Sequence, residues 1–209
     1  MYIYAFGSIC RGEFDEVSDI DLLVIKNNDE QELFNVEKFS VYEMNRINQL
    51  WVEGNPFAWH LFREAKLIFT SDGVDIIEKL GSPKKYKNLE NDLNKFSELY
   101  FSSLNSLTFN DSKIFDLSMI FLAIRNFASC YSLGVLSEFN FSRHSALHLT
   151  RNRLEINSNC YSILERARIM STRGIGNYIS QEEIEIVMKE IDKISNWFQK
   201  LKQINYERV

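Results

Sequence analysis

Two aspartates, Asp19 and Asp21, stand one residue apart at the head of the apolar run Leu22-Leu23-Val24-Ile25, and a Gly7-Ser8 pair closes an earlier apolar run. Along an extended strand, side chains i and i+2 share a face about 6–7 Å apart. The two carboxylates are therefore aimed together, and Ile20, Leu22 and Val24 are expected to enter the core. Mg²⁺ takes oxygen ligands and commonly bridges one or two carboxylates to substrate phosphates. A glycine lets backbone amides approach a phosphate closely, and the Ser8 hydroxyl and amide can donate to its oxygens. Paired acids beside a Gly-Ser turn thus suit a Mg²⁺-bound triphosphate. Arg11 lies in the loop between the two features, where its guanidinium could reach a phosphate or pair with Glu13 or Asp15. The residues alone leave both roles open.

The stretch Gly7-Ser8-Ile9-Cys10-Arg11-Gly12-Glu13, followed by Ser18-Asp19-Ile20-Asp21-Leu22, resembles the signature of the DNA polymerase beta-like nucleotidyltransferases. That resemblance implies transfer of a nucleoside monophosphate from a nucleoside triphosphate to a hydroxyl acceptor, with release of pyrophosphate. It also implies Asp19 and Asp21 as Mg²⁺ ligands and catalytic residues, and Gly7, Ser8 and Arg11 as the nucleotide-binding set. The acceptors it allows are a small molecule such as an antibiotic, a protein side chain, or an RNA end. Residues 54–64, Gly54-Asn55-Pro56-Phe57-Ala58-Trp59-His60-Leu61-Phe62-Arg63-Glu64, look like a segment of a bacterial branch of the same superfamily, as do Arg125-Asn126 and Phe141-Ser142-Arg143. The C-terminal half resembles the helical bundle that follows a minimal nucleotidyltransferase domain, or the related HEPN-type bundle.

Active members of the superfamily add a third carboxylate on the next strand. Glu37 and Glu43 are the candidates here, and Lys38 stands near the expected place. Glu43 reads equally as an exposed residue opening the following helix. Without a third acid, two carboxylates can bind a metal-nucleotide without fast transfer, so a weakened nucleotide-binding or protein-interaction module, such as a toxin–antitoxin component, is the alternative function. His60 lies in a mostly apolar helical segment and reads as packed or capping, with a nucleotide contact as the lesser option. His144 and His148 fall four apart on a helical pattern, but no HExxH accompanies them and zinc is not expected. Arg125-Asn126 with Tyr131 is similar to the HEPN ribonuclease pattern, with a phenol where that pattern has histidine. A phenol with a pKa near about 10 is a poor acid–base group at neutral pH. Arg125 and Asn126 are expected to tie helices together instead.

These residues need elements to hold them. Residues 2–6 and 20–26 read as strands, 36–42 as a third and 66–70 as an edge strand. Between 29 and 34 a short helical turn or a loop is expected. Helical spacing runs from Asn45, and Asn55-Pro56 caps and opens another helix, with a short one at 74–80. Gly81-Ser82-Pro83 is the expected boundary, with the lysines of 84–87 as a solvated linker. Long helical patterns follow near 88–107, 112–134, 143–152, 159–171 and 180–204, the last with an apolar stripe through Ile184, Val187, Ile191, Ile194, Trp197 and Leu201. The expected fold is α+β: a small mixed β-sheet nucleotidyltransferase domain over 1–83, then an all-α bundle over 84–209.

Composition agrees with an ordinary globular chain, with 45% hydrophobic and 25% charged residues among 209. A net charge of -5 argues against broad nucleic-acid binding, though not against a local basic patch. Cys10, Cys130 and Cys160 are odd in number and lack CxxC spacing, which suits reduced thiols in the cytoplasm. No membrane segment and no signal peptide is expected. The helical domain offers a surface through which two copies could pair as a homodimer.

Overall fold

The structure, a computed structural model, describes residues 1–13, 20–26 and 39–206. The chain divides into two compact units, Met1–Asn88 and Leu89–Val209.

The first unit is built on four strands, β1 (Tyr2–Phe6), β2 (Asp21–Lys26), β3 (Ser40–Glu43) and β4 (Lys66–Thr70), ordered β3-β2-β1-β4. β1 runs antiparallel to both β2 and β4, while β2 and β3 are parallel, so the sheet is mixed. A short helix α1 (Ser8–Arg11) follows β1; α2 (Met44–Glu53), α3 (Pro56–Glu64) and α4 (Ile76–Leu80) complete the unit. Alternation along β1 buries Tyr2, Tyr4 and Phe6, which join Leu23 and Ile25 under Ile47, Leu50 and Trp51 of α2 and Leu61 of α3. The core face of β2 therefore carries Leu23 and Ile25. Leu22 is only half-buried and Ile20 is 58% exposed, against the expectation that both enter the core. Val24 is buried on the other face. The run Leu22-Leu23-Val24-Ile25 is apolar at both parities, so alternation could not choose its face.

Tyr2 and Tyr4 on that core face have their hydroxyls hydrogen-bonded. Tyr4 donates to Asp75 Oδ1 at 2.7 Å and accepts from the Ile77 amide at 3.2 Å. Tyr2 donates to Asp72 Oδ2 at 2.8 Å. The Thr70 hydroxyl foremost, then the Val74 amide and the Tyr2 hydroxyl, draw the Asp72 carboxyl down to about 2. Asn55 caps α3 by accepting from the Phe57 amide at 2.9 Å, with Pro56 in its first turn. The third strand is seen at Ser40–Glu43, and residues 36–38 of the expected span, like the expected turn at 29–34, lie outside the described residues.

The lysine-rich stretch after Gly81 is not a free linker. The Lys84 amide donates to the Trp51 carbonyl at 2.9 Å and the Lys87 amide to that of Glu53 at 3.1 Å. The indoles of Trp51 and Trp59 donate back to the carbonyls of Gly81 (2.8 Å) and Lys84 (3.2 Å). Tyr86 is buried while the Lys84, Lys85 and Lys87 side chains face solvent. This strap closes over Gly54, whose φ of 63° ends α2 in the left-handed region. A Cβ on Gly54 would lie 2.2 Å from the Lys84 carbonyl oxygen and 2.4 Å from that of Lys85. Backbone cannot yield as a side chain can, so Gly54→Ala is expected to destabilise the unit by about 3 kcal/mol. A thermal melt tests it; an unchanged Tm would mean the strap is not held where it lies.

The second unit contains α5 (Leu89–Phe109), α6 (Lys113–Tyr131), α7 (Ser158–Arg173) and α8 (Gln181–Tyr206), with a π-helical turn, Ser132–Leu136, ending α6. Lys113–Leu136 is long and apolar enough to cross a bilayer, but most of it is buried as the central helix of this unit. Of the expected α8 stripe, Val187, Ile191, Ile194, Trp197 and Leu201 are buried, and Ile184 is half-buried. Phe198 stacks on Tyr100 of α5 at 4.6 Å and meets Phe127 of α6 edge-on at 4.7 Å. The helix expected at 143–152 is a single 3₁₀ turn, Ser145–His148. Beyond it the chain turns extended at Leu149 and left-handed at Asn152, whose φ is 59°.

Candidate functional site

β1 delivers the chain to Gly7 beside the start of β2, because Phe6 pairs with Asp21 across the ladder. Gly7 has φ 78° and ψ -150°, a region that essentially only glycine occupies. A Cβ built there would stand 2.2 Å from Asp21 Oδ2. The Asp21 carboxylate therefore lies directly over the Gly7 backbone, at the rim of the face that carries Leu23 and Ile25. Asp21 itself is exposed. Ser8 opens α1 half-exposed. Asp19, the other half of the expected acid pair, lies outside the described residues.

Arg11 ends α1 and is mostly buried, with 17% of its side chain exposed. Its Nε donates to Glu13 Oε2 at 2.8 Å, and its Nη1 to Glu64 Oε2 at 2.5 Å. His60, one turn before Glu64 on α3, brings its Nε2 within 2.9 Å of the same oxygen. Because His60 Nε2 carries the proton toward Glu64, its 3.4 Å approach to Arg11 Nη1 is a contact between donors, not a hydrogen bond. The His60 ring packs edge-on against Phe6 at 5.7 Å, so it is a packed residue that also anchors a carboxylate. The bonds to Glu13 and Glu64 engage Nε and Nη1 of Arg11, and Nη2 takes part in neither.

The energetics follow from burial. Desolvation is the largest influence on the Glu64 carboxyl and pushes it up, but the His60 hydrogen bond, His60 and Arg11 together hold it below its ordinary value. For Arg11, desolvation again acts first and lowers, and the two carboxylates reverse it, so its charge is locked in. A depressed carboxyl contributes stability above its unfolded pKa that is lost as pH falls through the folded one. The clamp therefore holds at neutral pH and opens on the acid side of the usual carboxylate range. Glu64→Gln keeps the shape but removes a charge from a largely dry pair. It is expected to cost about 1–2 kcal/mol and to loosen Arg11. The check is a thermal melt together with triphosphate affinity: affinity should fall several-fold, and an unaltered Kd would show Arg11 to be a surface tether only.

Cys10 sits among the same charges. Burial pushes its thiol up first, with Lys66, Glu64, Arg11 and Asp21 also acting on it. A thiol so held is protonated and a poor nucleophile.

Of the two candidates for a third acid, the one among the described residues, Glu43, does not converge on Asp21. Glu43 ends β3 opposite Lys26 and is exposed at the start of α2. Its neighbour Tyr42 packs toward the core face that Asp21 shares by parity, so Glu43 faces the other way. Glu37 and Lys38 lie outside the described residues. No group of three histidine, cysteine, aspartate or glutamate side chains capable of holding a metal exists among the described residues. What the described site does offer, an exposed carboxylate over a glycine turn beside a serine hydroxyl, is the hard-oxygen chemistry that suits Mg²⁺. Glu64 carries no motif of its own in the sequence beyond its spacing of four from His60.

In the second unit, Arg125 Nη2 donates to the Phe141 carbonyl at 3.2 Å and its own carbonyl accepts from Ser145 Oγ at 3.1 Å. Arg125 thus ties α6 to the irregular segment after it, where a bond between two helices was expected. Tyr131 is 1% exposed and cannot meet an external phosphodiester. Arg143 and His144 both turn to Glu165 of α7, at 3.0 and 3.2 Å. His144 and His148 do not share a helix face, since only the 3₁₀ turn lies between them, and their rings stand 6.1 Å apart. None of the three cysteines is in a disulfide.

Residues 1–73 match the family model described as polymerase beta, nucleotidyltransferase. Among curated proteins, none matches the chain.

Proposed function

From the nucleotidyltransferase domain of the polymerase beta superfamily that residues 1–73 form, we propose that the chain transfers a nucleoside monophosphate from a nucleoside triphosphate to a hydroxyl acceptor, releasing pyrophosphate. The observation that carries this reading is the Asp21 carboxylate lying over Gly7, in a turn only glycine can make. In this reading the Gly7-Ser8 backbone approaches the triphosphate and the Ser8 hydroxyl donates to a phosphate oxygen. Asp19 and Asp21 would hold Mg²⁺, which when bound neutralises charge developing on the transferring phosphoryl group. Arg11, fixed by Glu13 and Glu64, turns its remaining N–H edge to the phosphates. The acceptor is a small molecule, a protein side chain or an RNA end, and the expected setting is the cytoplasm.

Incubating the chain with Mg²⁺, labelled triphosphates and acceptors of each class, and following pyrophosphate, tests the proposal. One observation favours a second reading. Glu43 faces away from Asp21, which suits a domain that binds the metal-nucleotide without efficient transfer. Calorimetric triphosphate binding with no pyrophosphate from any acceptor would select that reading.

A further inference from the structure

The second unit holds an open cleft of about 1050 Å³. One wall is α8, through Lys193, Asn196 and Lys200; the other is the irregular segment that carries Thr150, Asn152 and Arg153. A smaller hollow of about 520 Å³ shares Arg153 and Lys193 and prolongs it. The walls are fixed to each other. Trp197 Nε1 donates to the Asn152 carbonyl at 2.8 Å, and the Leu154 amide donates to the Ala146 carbonyl at 2.9 Å. Asn152 holds a left-handed φ of 59°, a conformation asparagine tolerates better than most residues. The cleft is preformed.

Its lining is lopsided in charge: Arg153, Lys193 and Lys200 against the single carboxylate of Glu155, within a chain whose net charge is -5. Arg153 meets Glu155 at 3.4 Å and Lys193 meets Glu190 at 2.9 Å, but Arg153, Glu155 and Lys193 are each more than half exposed. The exposed Arg153–Glu155 pair contributes about 0–1 kcal/mol and yields readily to a competing anion, whereas Lys193 is held by both oxygens of Glu190, which is 14% exposed. Lys193, Asn196 and Lys200 fall at i, i+3 and i+7, one face of α8 over about 10 Å. At about 3.4 Å per nucleotide of a stacked strand, that ladder spans roughly three phosphates.

We propose that this cleft binds the phosphodiester backbone of single-stranded nucleic acid. A peptide strand brings as many N–H donors as carbonyl acceptors and would set its donors against these cations. A sugar-phosphate backbone presents acceptors to a donor-rich wall. Trp197, on the floor, is 6% exposed with its N–H committed, so its ring offers no stacking platform, and the exposed ring of the lining is that of His148. Binding is therefore led by phosphates and tolerant of sequence.

The inference is independent of transferase activity, and its test omits triphosphate and Mg²⁺. Anisotropy is measured with the full chain and labelled 12-mers of RNA and DNA, beside an acidic peptide of equal charge, at several salt concentrations. Binding to the oligonucleotides should weaken with salt. The exposed pair Lys193→Gln/Lys200→Gln should lose about tenfold in affinity and flatten the log–log salt slope by about 1.4, whereas Lys189→Gln, on α8 but outside the cleft, should change little. Equal binding of RNA and DNA supports a pure backbone contact, and preference for RNA adds a 2′-hydroxyl contact to the same site. Failure of both oligonucleotides to bind, tighter binding of the peptide, or an equal loss from Lys189→Gln would overturn it.

Discussion

Asp21→Asn is expected to lower pyrophosphate release about a thousandfold while leaving the melting temperature where it was. The two halves of that expectation have separate causes. Asparagine has nearly the volume of aspartate, and the side chain is exposed at the first residue of β2, so little packing is at stake. What changes is the negative charge over the Gly7 backbone, and with it the hard anionic ligand that would hold Mg²⁺ beside the triphosphate. Asp19→Asn should act alike in the same assay. Release that survives either change would remove the metal assignment. A drop in Tm comparable to that of a core substitution would instead make Asp21 a structural residue.

Gly7→Ala is expected to reach a similar loss of activity by a different route, with a fall in stability of about 1–3 kcal/mol. Its φ of 78° with ψ -150° is barred to alanine, and the new methyl would meet Asp21 Oδ2 at 2.2 Å. Either the turn or the carboxylate must move. The two variants strike one arrangement, so combining them should add little further loss of activity. Full multiplicative losses in the double variant would show that the turn and the carboxylate act on separate things.

The parts of this site that lie close in sequence were legible without coordinates. The Gly7-Ser8 turn, the acid opening β2 and the Asn55-Pro56 helix start depend on local rules of backbone and capping. So did the α8 stripe, whose spacing leaves one face to bury. The face of β2 was not legible, because four consecutive apolar residues satisfy either parity. The Arg11–Glu13 pair was legible, but the second partner was not, since Glu64 reaches Arg11 only through packing of α3 beside β1. Residues 143–152 carry a helix-like pattern, yet Arg143 and His144 are claimed by Glu165 and Asn152 by Trp197, and tertiary bonds override the local preference. The strap after Gly81 misled for a related reason: its lysines face water while its backbone is bonded to α2.

The three tryptophans also divide the chain optically. Trp51 and Trp59 give their indole protons to the strap that closes the first unit, and Trp197 gives its own to the wall of the cleft in the second. Intrinsic fluorescence therefore carries two reports, one from each unit. Replacing Trp197 by phenylalanine leaves an emission that follows the first unit alone, so the unfolding of one unit can be watched without attaching a dye.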